Sequence, residues 1–283
     1  MSENELDQVG PWTEIKLKII EEYAKAYATI MNKQKGVIRH TAYIDGFAGP
    51  GTHVSRTTGE EIEGSPAIAL KMKPGFSHYH FIDLDGKRAQ SLRQLAGDRP
   101  DVTVYEEDCN TTLIEKVFPQ CQWEHRRRAL CLLDPYNLNP NWEVVETAGN
   151  MRSIEIFLNF MIMDANMNVF PRDPHKVPEA QIERMNRFWG DESWRNVVWR
   201  TSSQLGLFGD IKDKAPNEAI IAAYRKRLKD VAGFTFVPEP IPMQTRTGAA
   251  IYYLFFASHS ATGDKIARDI FNKYRNKDLP HGE

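Results

Sequence analysis

The chain has 283 residues, 41% of them hydrophobic, so it can bury one substantial core, and we expect one domain spanning residues 1–283 with an insertion. Its 36 basic and 38 acidic side chains give a net charge of −2. This charge provides no overall positive field that would bind nucleic acid by phosphate neutralisation, so net charge neither supports nor excludes such a partner.

Cysteine content and the N-terminus indicate the compartment. The three cysteines are too few for a disulfide framework and contain no C-x-x-C pair for zinc. Acidic residues stand at the N-terminus, where a signal peptide would have a basic region before an apolar stretch. The longest apolar run, residues 154–163, is too short to span a bilayer. We expect a reducing, cytoplasmic setting.

The first predicted element is an amphipathic helix over residues 11–32, with Thr13 or Pro11 as its cap. Its apolar residues recur three and four positions apart, which is typical of one buried helical face. These residues are Ile15, Leu17, Ile19, Ile20, Tyr23, Ala24, Tyr27 and Ile30.

Four predicted strands follow, and each ends at or near an acidic residue. The strands cover residues 40–45, 78–83, 102–105 and 129–133, and the acids are Asp45, Asp83, Asp108 and Asp134. The first strand runs into the glycine turn 46–51, and residues 52–64 are predicted to be a loop before a helix capped by Ser65. A helix near 87–95 separates the second and third strands, and a fifth strand covers 154–161.

Strands that alternate with helices predict βαβ units and a mainly parallel sheet, hence a Rossmann-like α/β fold. From residue 164 to about 213 the pattern changes to helical pieces rich in tryptophan and phenylalanine, with no clear strand, and we interpret it as a helical insertion or lid. A helix at 216–231, two strands at 234–237 and 251–258, and a helix at 264–274 complete the chain. The last two strands are expected to pair as an antiparallel edge.

The four strand-end acids predict a nucleoside-type site, because ligands of open parallel sheets bind beyond the carboxyl ends of the strands. Gly46, Gly49 and Gly51 would let the backbone approach a ligand closely. Asp83 is placed to accept hydrogen bonds from ribose, and Asp108 to face an adenine amine. The 52–64 segment separates the glycine turn from the next helix and so removes the helix N-terminus that a pyrophosphate needs. This favours S-adenosylmethionine over a dinucleotide.

The turn Asp134-Pro-Tyr136 has two interpretations. Proline cannot continue a strand ladder, so the turn can be a strand terminator alone. Alternatively, Asp134 and neighbouring carbonyl groups accept hydrogen bonds from an amine substrate while Tyr136 stacks on a flat ring. The run His125–Arg128 could bind phosphate, although a solvated turn is the expectation favoured for a short basic run. The eight histidines show no metal-binding spacing, and no phosphate loop is present, so we predict no metal site.

Several blocks together resemble the three-Cys-motif partner family over nearly the whole chain. They are Tyr43–Gly51 with the Trp12-Thr13 helix before it and Gly64–Pro66 after it, then Phe81–Asp83, Glu107–Asn110, Leu133–Tyr136, Leu158–Met161, Leu207–Gly209 and Tyr252–Ala257. The resemblance implies a Rossmann-like class I methyltransferase fold and a separate partner protein that carries the three cysteines. The cysteines of this chain are not that motif.

The glycine turn is also similar to the donor-binding turn of amino-methyltransferases acting on nucleic acid bases, which reads Asp-x-Phe-x-Gly-x-Gly. Their catalytic turn has two prolines before an aromatic residue, whereas this chain has only Pro135, so base methylation stays open.

Our leading hypothesis is therefore an S-adenosylmethionine-dependent methyltransferase acting on an amino group of a nucleic acid base or on another amine. The residues predicted to bind the donor are Asp45, Gly46, Phe47, Ala48, Gly49, Gly51, Asp83, Asp108 and Cys109. Those predicted to orient the acceptor are Asp134, Pro135, Tyr136 and Asn137. The alternative is a binding module of the same fold that has lost catalysis and acts with the three-cysteine partner, using exposed aromatic residues of the insertion. The two hypotheses differ in turnover.

Overall fold

The structure is a computed structural model that describes residues 8–56, 58–171, 173–206, 209–245 and 247–275. Its strands are β1 (Gln8–Val9), β2 (His40–Asp45), β3 (Thr52–Ser55), β4 (Glu61–Glu63), β5 (His78–Ile82), β6 (Val102–Tyr105), β7 (Arg127–Leu133), β8 (Ile154–Phe160), β9 (Trp199–Gly206), β10 (Gly209–Lys214), β11 (Ile241–Gln244) and β12 (Ala250–Ala257). Its α-helices are α1 (Pro11–Lys33), α2 (Ser65–Lys71), α3 (Gly86–Ala96), α4 (Cys109–Thr112), α5 (Trp142–Met151), α6 (Ile162–Asn168), α7 (Glu179–Trp189), α8 (Trp194–Val198), α9 (Asn217–Asp230) and α10 (Ala261–Arg275).

The central sheet has seven strands in the order β11-β12-β8-β7-β2-β5-β6. The five strands from β8 to β6 are parallel to their neighbours, and β12 is antiparallel to both β8 and β11. The predicted Rossmann-like α/β class, with a mainly parallel sheet and an antiparallel strand near one edge, is confirmed. Helical connections between parallel strands explain this arrangement, since parallel neighbours need a crossover.

Hydrophobic layers cover both faces of the sheet, as the alternation along β2 shows. Tyr43 packs in the layer that includes residues of α1, α3 and α10. Its neighbours Ala42 and Ile44 pack in the opposite layer, with residues of α5, α7 and α9. Alternate residues of a strand point to opposite faces, so a strand covered on both faces is apolar throughout.

The segment from residue 52 to 64 is a β-hairpin, and the predicted loop is wrong. β3 pairs antiparallel with β4 and parallel with β1, and the Gly64 N–H donates to the Gly51 carbonyl at 2.8 Å. Both strands are short and largely exposed or half-buried, so they lack the apolar alternation that marks a strand in a sequence.

The edge strand near the C-terminus also differs from the prediction. Residues 234–237 form only an isolated bridge between Phe236 and Ser258, and β12 pairs instead with β11. β11 alternates buried Ile241 and Met243 with half-buried positions, and Pro242 is tolerated because the strand lies at the edge of the sheet.

The predicted insertion contains helices α6 to α8, as expected, and also the antiparallel hairpin β9–β10, which the sequence analysis did not predict. Phe188, Trp189, Trp194 and Trp199 are buried, so they stabilise the core and do not offer the exposed aromatic surface proposed for a partner. Leu207 and Phe208, part of one family-like block, lie outside the described residues.

Smaller differences concern helix starts. Gly10 precedes α1 as its cap residue, where Thr13 or Pro11 was predicted, and Gly64 caps α2 in place of Ser65. Among the described residues, no helix is long and apolar enough to cross a membrane.

Candidate functional site

A cleft of about 670 Å³ lies beyond the carboxyl ends of β2, β5, β6 and β7. Within the sheet, β5 lies beside β2 on one side and β7 lies beside it on the other, so the strand order reverses at β2. The cleft therefore occupies the topological switch point where α/β proteins bind ligands. Its volume is typical of a site for a small molecule. The lining residues are Gly46, Phe47, Asp83, Leu84, Asp85, Arg88, Asp108, Cys109, Asn110, Tyr136, Leu138, Asn139, Asn141, Arg184 and Arg187.

The glycine turn after β2 forms one wall of the cleft. The Gly46 N–H donates to the Leu132 carbonyl at 2.9 Å, and the Ala48 N–H donates to the Ile82 carbonyl at 3.0 Å, so the turn is fixed to both neighbouring strands. A Cβ atom at Gly46 would lie 2.7 Å from Cys109 Sγ, and Gly49 has φ +64°, in the left-handed region. Both positions therefore require glycine.

Asp83 lies at the end of β5 and lines the cleft, with 9% of its surface exposed. Its Oδ2 accepts the Gly49 N–H at 2.9 Å, and its Oδ1 accepts the Asp85 N–H at 2.9 Å. Each carboxylate oxygen can accept a second hydrogen bond. Asp83 thus holds the glycine turn in place and still has acceptor capacity for a ligand hydroxyl.

Asp108 and Cys109 form the far end of the cleft. Asp108 is exposed and caps α4 by accepting the Thr111 N–H at 3.0 Å. Burial raises the pKa of the Cys109 thiol well above its ordinary value, so the thiol stays protonated. Cys109 therefore offers an apolar contact surface, not a nucleophile.

Four of the residues predicted to bind the donor do not line the cleft: Asp45, Ala48, Gly49 and Gly51. Asp45 is fully buried, and its carboxyl group accepts the Ser65 hydroxyl at 2.5 Å and the Phe47 N–H at 3.4 Å. It connects the glycine turn to the start of α2. Burial raises the pKa of Asp45 to about 7.

The raised pKa of Asp45 predicts that stability falls as pH rises. Its folded-state pKa of about 7 exceeds the ordinary value of 3.8, so its contribution is complete below pH 4 and is lost as pH rises to about 7. An Asp45→Asn variant should remove this dependence, which has an upper bound of about 4 kcal/mol. Urea unfolding of both proteins from pH 4.5 to 8 measures the difference. Glu155, whose pKa burial also raises to about 7, keeps its own pH dependence in both proteins. Parallel pH curves would contradict the prediction.

Asp134 belongs to a polar cluster beside the cleft and does not line it. It forms an ion pair with Lys16 of α1 and accepts a hydrogen bond from the side-chain amide of Asn159 at the end of β8. Lys16 is buried, and its ammonium lies 5.7 Å from the centroid of the Tyr252 ring. The cluster anchors the N-terminal helix to the predicted catalytic turn.

Sequence reasoning missed Lys16 and Asn159, although Lys16 carried a signal. It stands four residues before Ile20 and seven before Tyr23, which places it on the buried face of α1. A lysine at such a position must find a partner, because an unpaired buried charge is costly.

The other three residues of the predicted catalytic turn differ in their position relative to the cleft. Tyr136 is 59% exposed and lines the cleft, and the Arg88 guanidinium lies 5.3 Å from its ring centroid. Pro135 is buried, whereas Asn137 is exposed and lies outside the cleft lining. Of the predicted acceptor-binding residues, only Tyr136 therefore lines the cleft itself.

Three arginines that the sequence did not single out also line the cleft: Arg88, Arg184 and Arg187. Arg184 forms an ion pair with Asp164 at 2.9 Å, and Arg187 is exposed. They come from α3 and α7, so only the tertiary fold brings them together.

Comparison with known proteins defines the fold. No family model matches the chain, and no curated protein matches it. Protein LPL1258 from Legionella pneumophila str. Philadelphia 1 has a similar solved structure, with TM-score 0.54 and 9% identity over 93% of this chain and 94% of that one. At this identity the similarity shows a shared fold alone. A putative methyltransferase from Thermobifida fusca YX matches with TM-score 0.39 and 14% identity, over 86% of this chain and 81% of that one. The methyltransferase domain of bacterial CtHen1-CN matches with TM-score 0.37 and 9% identity, over 84% of this chain and 99% of that one.

Proposed function

We propose that the chain is an S-adenosylmethionine-dependent methyltransferase whose donor site is the cleft at the carboxyl ends of β2, β5, β6 and β7. The observation that carries the proposal is the union of a fixed glycine turn and Asp83 in one cleft at the switch point. At position 46, the Cβ atom of any other residue would lie too close to Cys109 Sγ. Glycine therefore keeps the space above the turn open.

Each predicted residue of the cleft has a role that its position supports. The turn Gly46-Phe47 would contact the methionine part, Asp83 would accept ribose hydroxyl groups, and Asp108 with Cys109 would border the adenine. The donor supplies an electrophilic methyl group on a sulfonium. Transfer then requires alignment of the acceptor and a route for its proton, and needs no ionised nucleophile from the protein.

We further propose that the acceptor is an amino group of a nucleic acid base or of another amine. The exposed ring of Tyr136 at the cleft supports a flat acceptor, because aromatic rings stack on such groups. The resemblance to the three-Cys-motif partner family adds a separate three-cysteine protein as a proposed partner. The three cysteines of this chain are free, which fits the proposed cytoplasmic setting.

A second candidate function is a binding module that retains the donor site without turnover. The state of Asp134 favours it, since one carboxylate oxygen pairs with Lys16 and the other accepts from Asn159. Both oxygens keep one remaining acceptor position, so amine binding there requires an acceptor that approaches beside these partners. Formation of S-adenosylhomocysteine with any acceptor would exclude the module.

Isothermal titration of the purified chain with four nucleosides and nucleotides tests the donor site. We expect S-adenosylmethionine and S-adenosylhomocysteine to bind and NAD and ATP to give no heat, because the described cleft has no helix N-terminus directly after its glycine turn for a pyrophosphate. Binding of NAD or ATP alone would contradict the proposal. Binding of the sulfur nucleosides justifies a screen of acceptors with and without the partner.

A further inference from the structure

A groove of positive charge lies at the end of the sheet opposite the donor cleft, where β2, β5 and β7 begin. Three adjoining recesses of about 350, 290 and 600 Å³ form it, and all three share His40. We call this surface the amino-end groove. Its cationic lining residues are Lys35, Arg39, Arg126, Arg127 and Arg128, and its histidines are His40, His78, His80 and His125. Burial lowers the pKa of His78 and lowers that of His80 to about 3, so these two imidazoles add no positive charge at pH 7.

Few acidic side chains offset the positive charge of the groove. Within the part of the chain that the structure describes, Glu124 is the one carboxylate among its lining residues. The ion pairs formed by described residues include neither Arg39 nor any of Arg126, Arg127 and Arg128. A cluster of like charges with a single carboxylate beside it creates a local positive potential and attracts anions.

The fold places acidic and basic residues at opposite ends of the sheet, although they cancel in the net charge. The acids of the strand ends lie at the carboxyl end of the sheet, around the donor cleft, whereas the groove cations lie at the amino end. A net charge of −2 therefore conceals a basic surface, and this local cluster supports a polyanionic partner on which the net charge is silent.

The basic run begins in an exposed turn over residues 123–126, as the sequence favoured, and backbone hydrogen bonds hold that turn in place. The Arg126 N–H donates to the Trp123 carbonyl at 2.9 Å, and the Arg39 N–H donates to the Arg126 carbonyl at 2.9 Å. Arg127 Nη1 also donates to the Gln120 carbonyl at 2.9 Å. The turn is thereby attached to the residue that precedes β2, and the Arg127 guanidinium is held in place before any ligand arrives.

An aromatic ring flanks the cations. Trp123 is 48% exposed, and the Arg128 guanidinium lies 3.3 Å from its ring centroid. Proteins that bind single-stranded nucleic acid combine a basic groove along the backbone with aromatic rings on which bases stack. An acidic protein surface would use the same cations and can also contact a tryptophan ring, so competition between RNA and polyglutamate distinguishes the two partners.

We propose that the amino-end groove binds the phosphodiester backbone of a single-stranded nucleic acid, with Trp123 as a stacking surface for a base. Guanidinium groups suit this partner because they bind phosphate oxygens through two parallel hydrogen bonds. The proposal goes beyond methyl transfer and does not depend on it, since the groove and the donor cleft lie at opposite ends of the sheet.

The test measures binding of a fluorescein-labelled 20-nucleotide single-stranded RNA by fluorescence anisotropy between 50 and 200 mM KCl. The groove variant combines Arg39→Gln with Arg126→Asn, because Arg126 has φ +59° and asparagine tolerates that conformation. The control variant combines Lys18→Gln with Lys25→Gln, which are exposed on α1 and change the net charge equally. We expect the groove variant to bind about tenfold more weakly and the control to bind as the wild type does. The salt slope should fall by about 1.4 in the groove variant.

Several results would overturn the proposal. Equal weakening in both variants would show that net charge alone acts, and no RNA binding by the wild type would exclude the groove as such a site. Displacement of RNA by polyglutamate of matched charge at equal concentration would assign the groove to an acidic protein. Loss of RNA binding in Arg187→Gln, with the groove variant unaffected, would assign RNA to the donor cleft. Titration with S-adenosylmethionine and thermal unfolding of each variant keep a folding defect or an incorrect donor site distinguishable from an incorrect groove.

Discussion

Replacement of Lys16 with methionine is expected to lower the free energy of unfolding by about 3 kcal/mol, because it leaves the Asp134 carboxylate without its cation. Methionine preserves the apolar part of the buried Lys16 side chain, so the loss reports the charge. Asp134 is 22% exposed at its side chain, which places the effect at the lower end of the range for buried pairs. Urea unfolding monitored by circular dichroism measures it.

A matched control and a second substitution separate this ion pair from general damage to α1. Lys18→Met lies on the exposed face of the same helix and should change stability by less than about 0.5 kcal/mol. Adding Asp134→Asn to Lys16→Met should recover much of the loss, since it removes the uncompensated charge and keeps an acceptor for Asn159. Equal losses in Lys16→Met and in the double variant would mean that the pair contributes packing alone.

The parallel core of the fold was predictable because each buried strand is a dense apolar run that stops at an acid or a turn. β2 and β6 have the predicted bounds, and β5, β7 and β8 differ by one or two residues. The hairpin β3–β4 was not predictable in this way. Its strands are three or four residues long and partly exposed, and their pairing with β1 joins segments more than forty residues apart.

The site was predictable in its location and less so in its membership. Acids that follow parallel strands share one edge of the sheet, which brings Asp83 and Asp108 into the cleft. Whether an acid faces the ligand depends on the local turn, and Asp45 is the last residue of its strand and points inward to Ser65. The partner of Asp134 could not be assigned from sequence spacing, because Lys16 is 118 residues away.

The distribution of charge over the surface was also not predictable from composition. A sum over the sequence treats the strand-end acids and the run Arg126–Arg128 as cancelling, whereas parallel strands carry their carboxyl and amino ends to opposite edges. Basic residues before β2 and β7 therefore accumulate at one edge, and acids after β2, β5 and β7 accumulate at the other. The topology, and not the composition, decides the local potential.

Replacement of Asp83 with alanine is expected to weaken binding of S-adenosylmethionine about 100-fold, on the proposed function. The variant loses the acceptor for ribose. It also releases the N–H groups of Gly49 and Asp85, each of which donates to the Asp83 carboxylate at 2.9 Å in the wild type. Hydrogen bonds to a charged group contribute about 1.5–3 kcal/mol, and about 2.7 kcal/mol corresponds to the expected change in affinity. Asp98→Ala, an exposed acid after α3, serves as the control and should bind normally. Isothermal titration gives the affinities, and unfolding by urea shows how much of the effect is structural. Normal affinity in a folded Asp83→Ala protein would place the donor elsewhere on the chain.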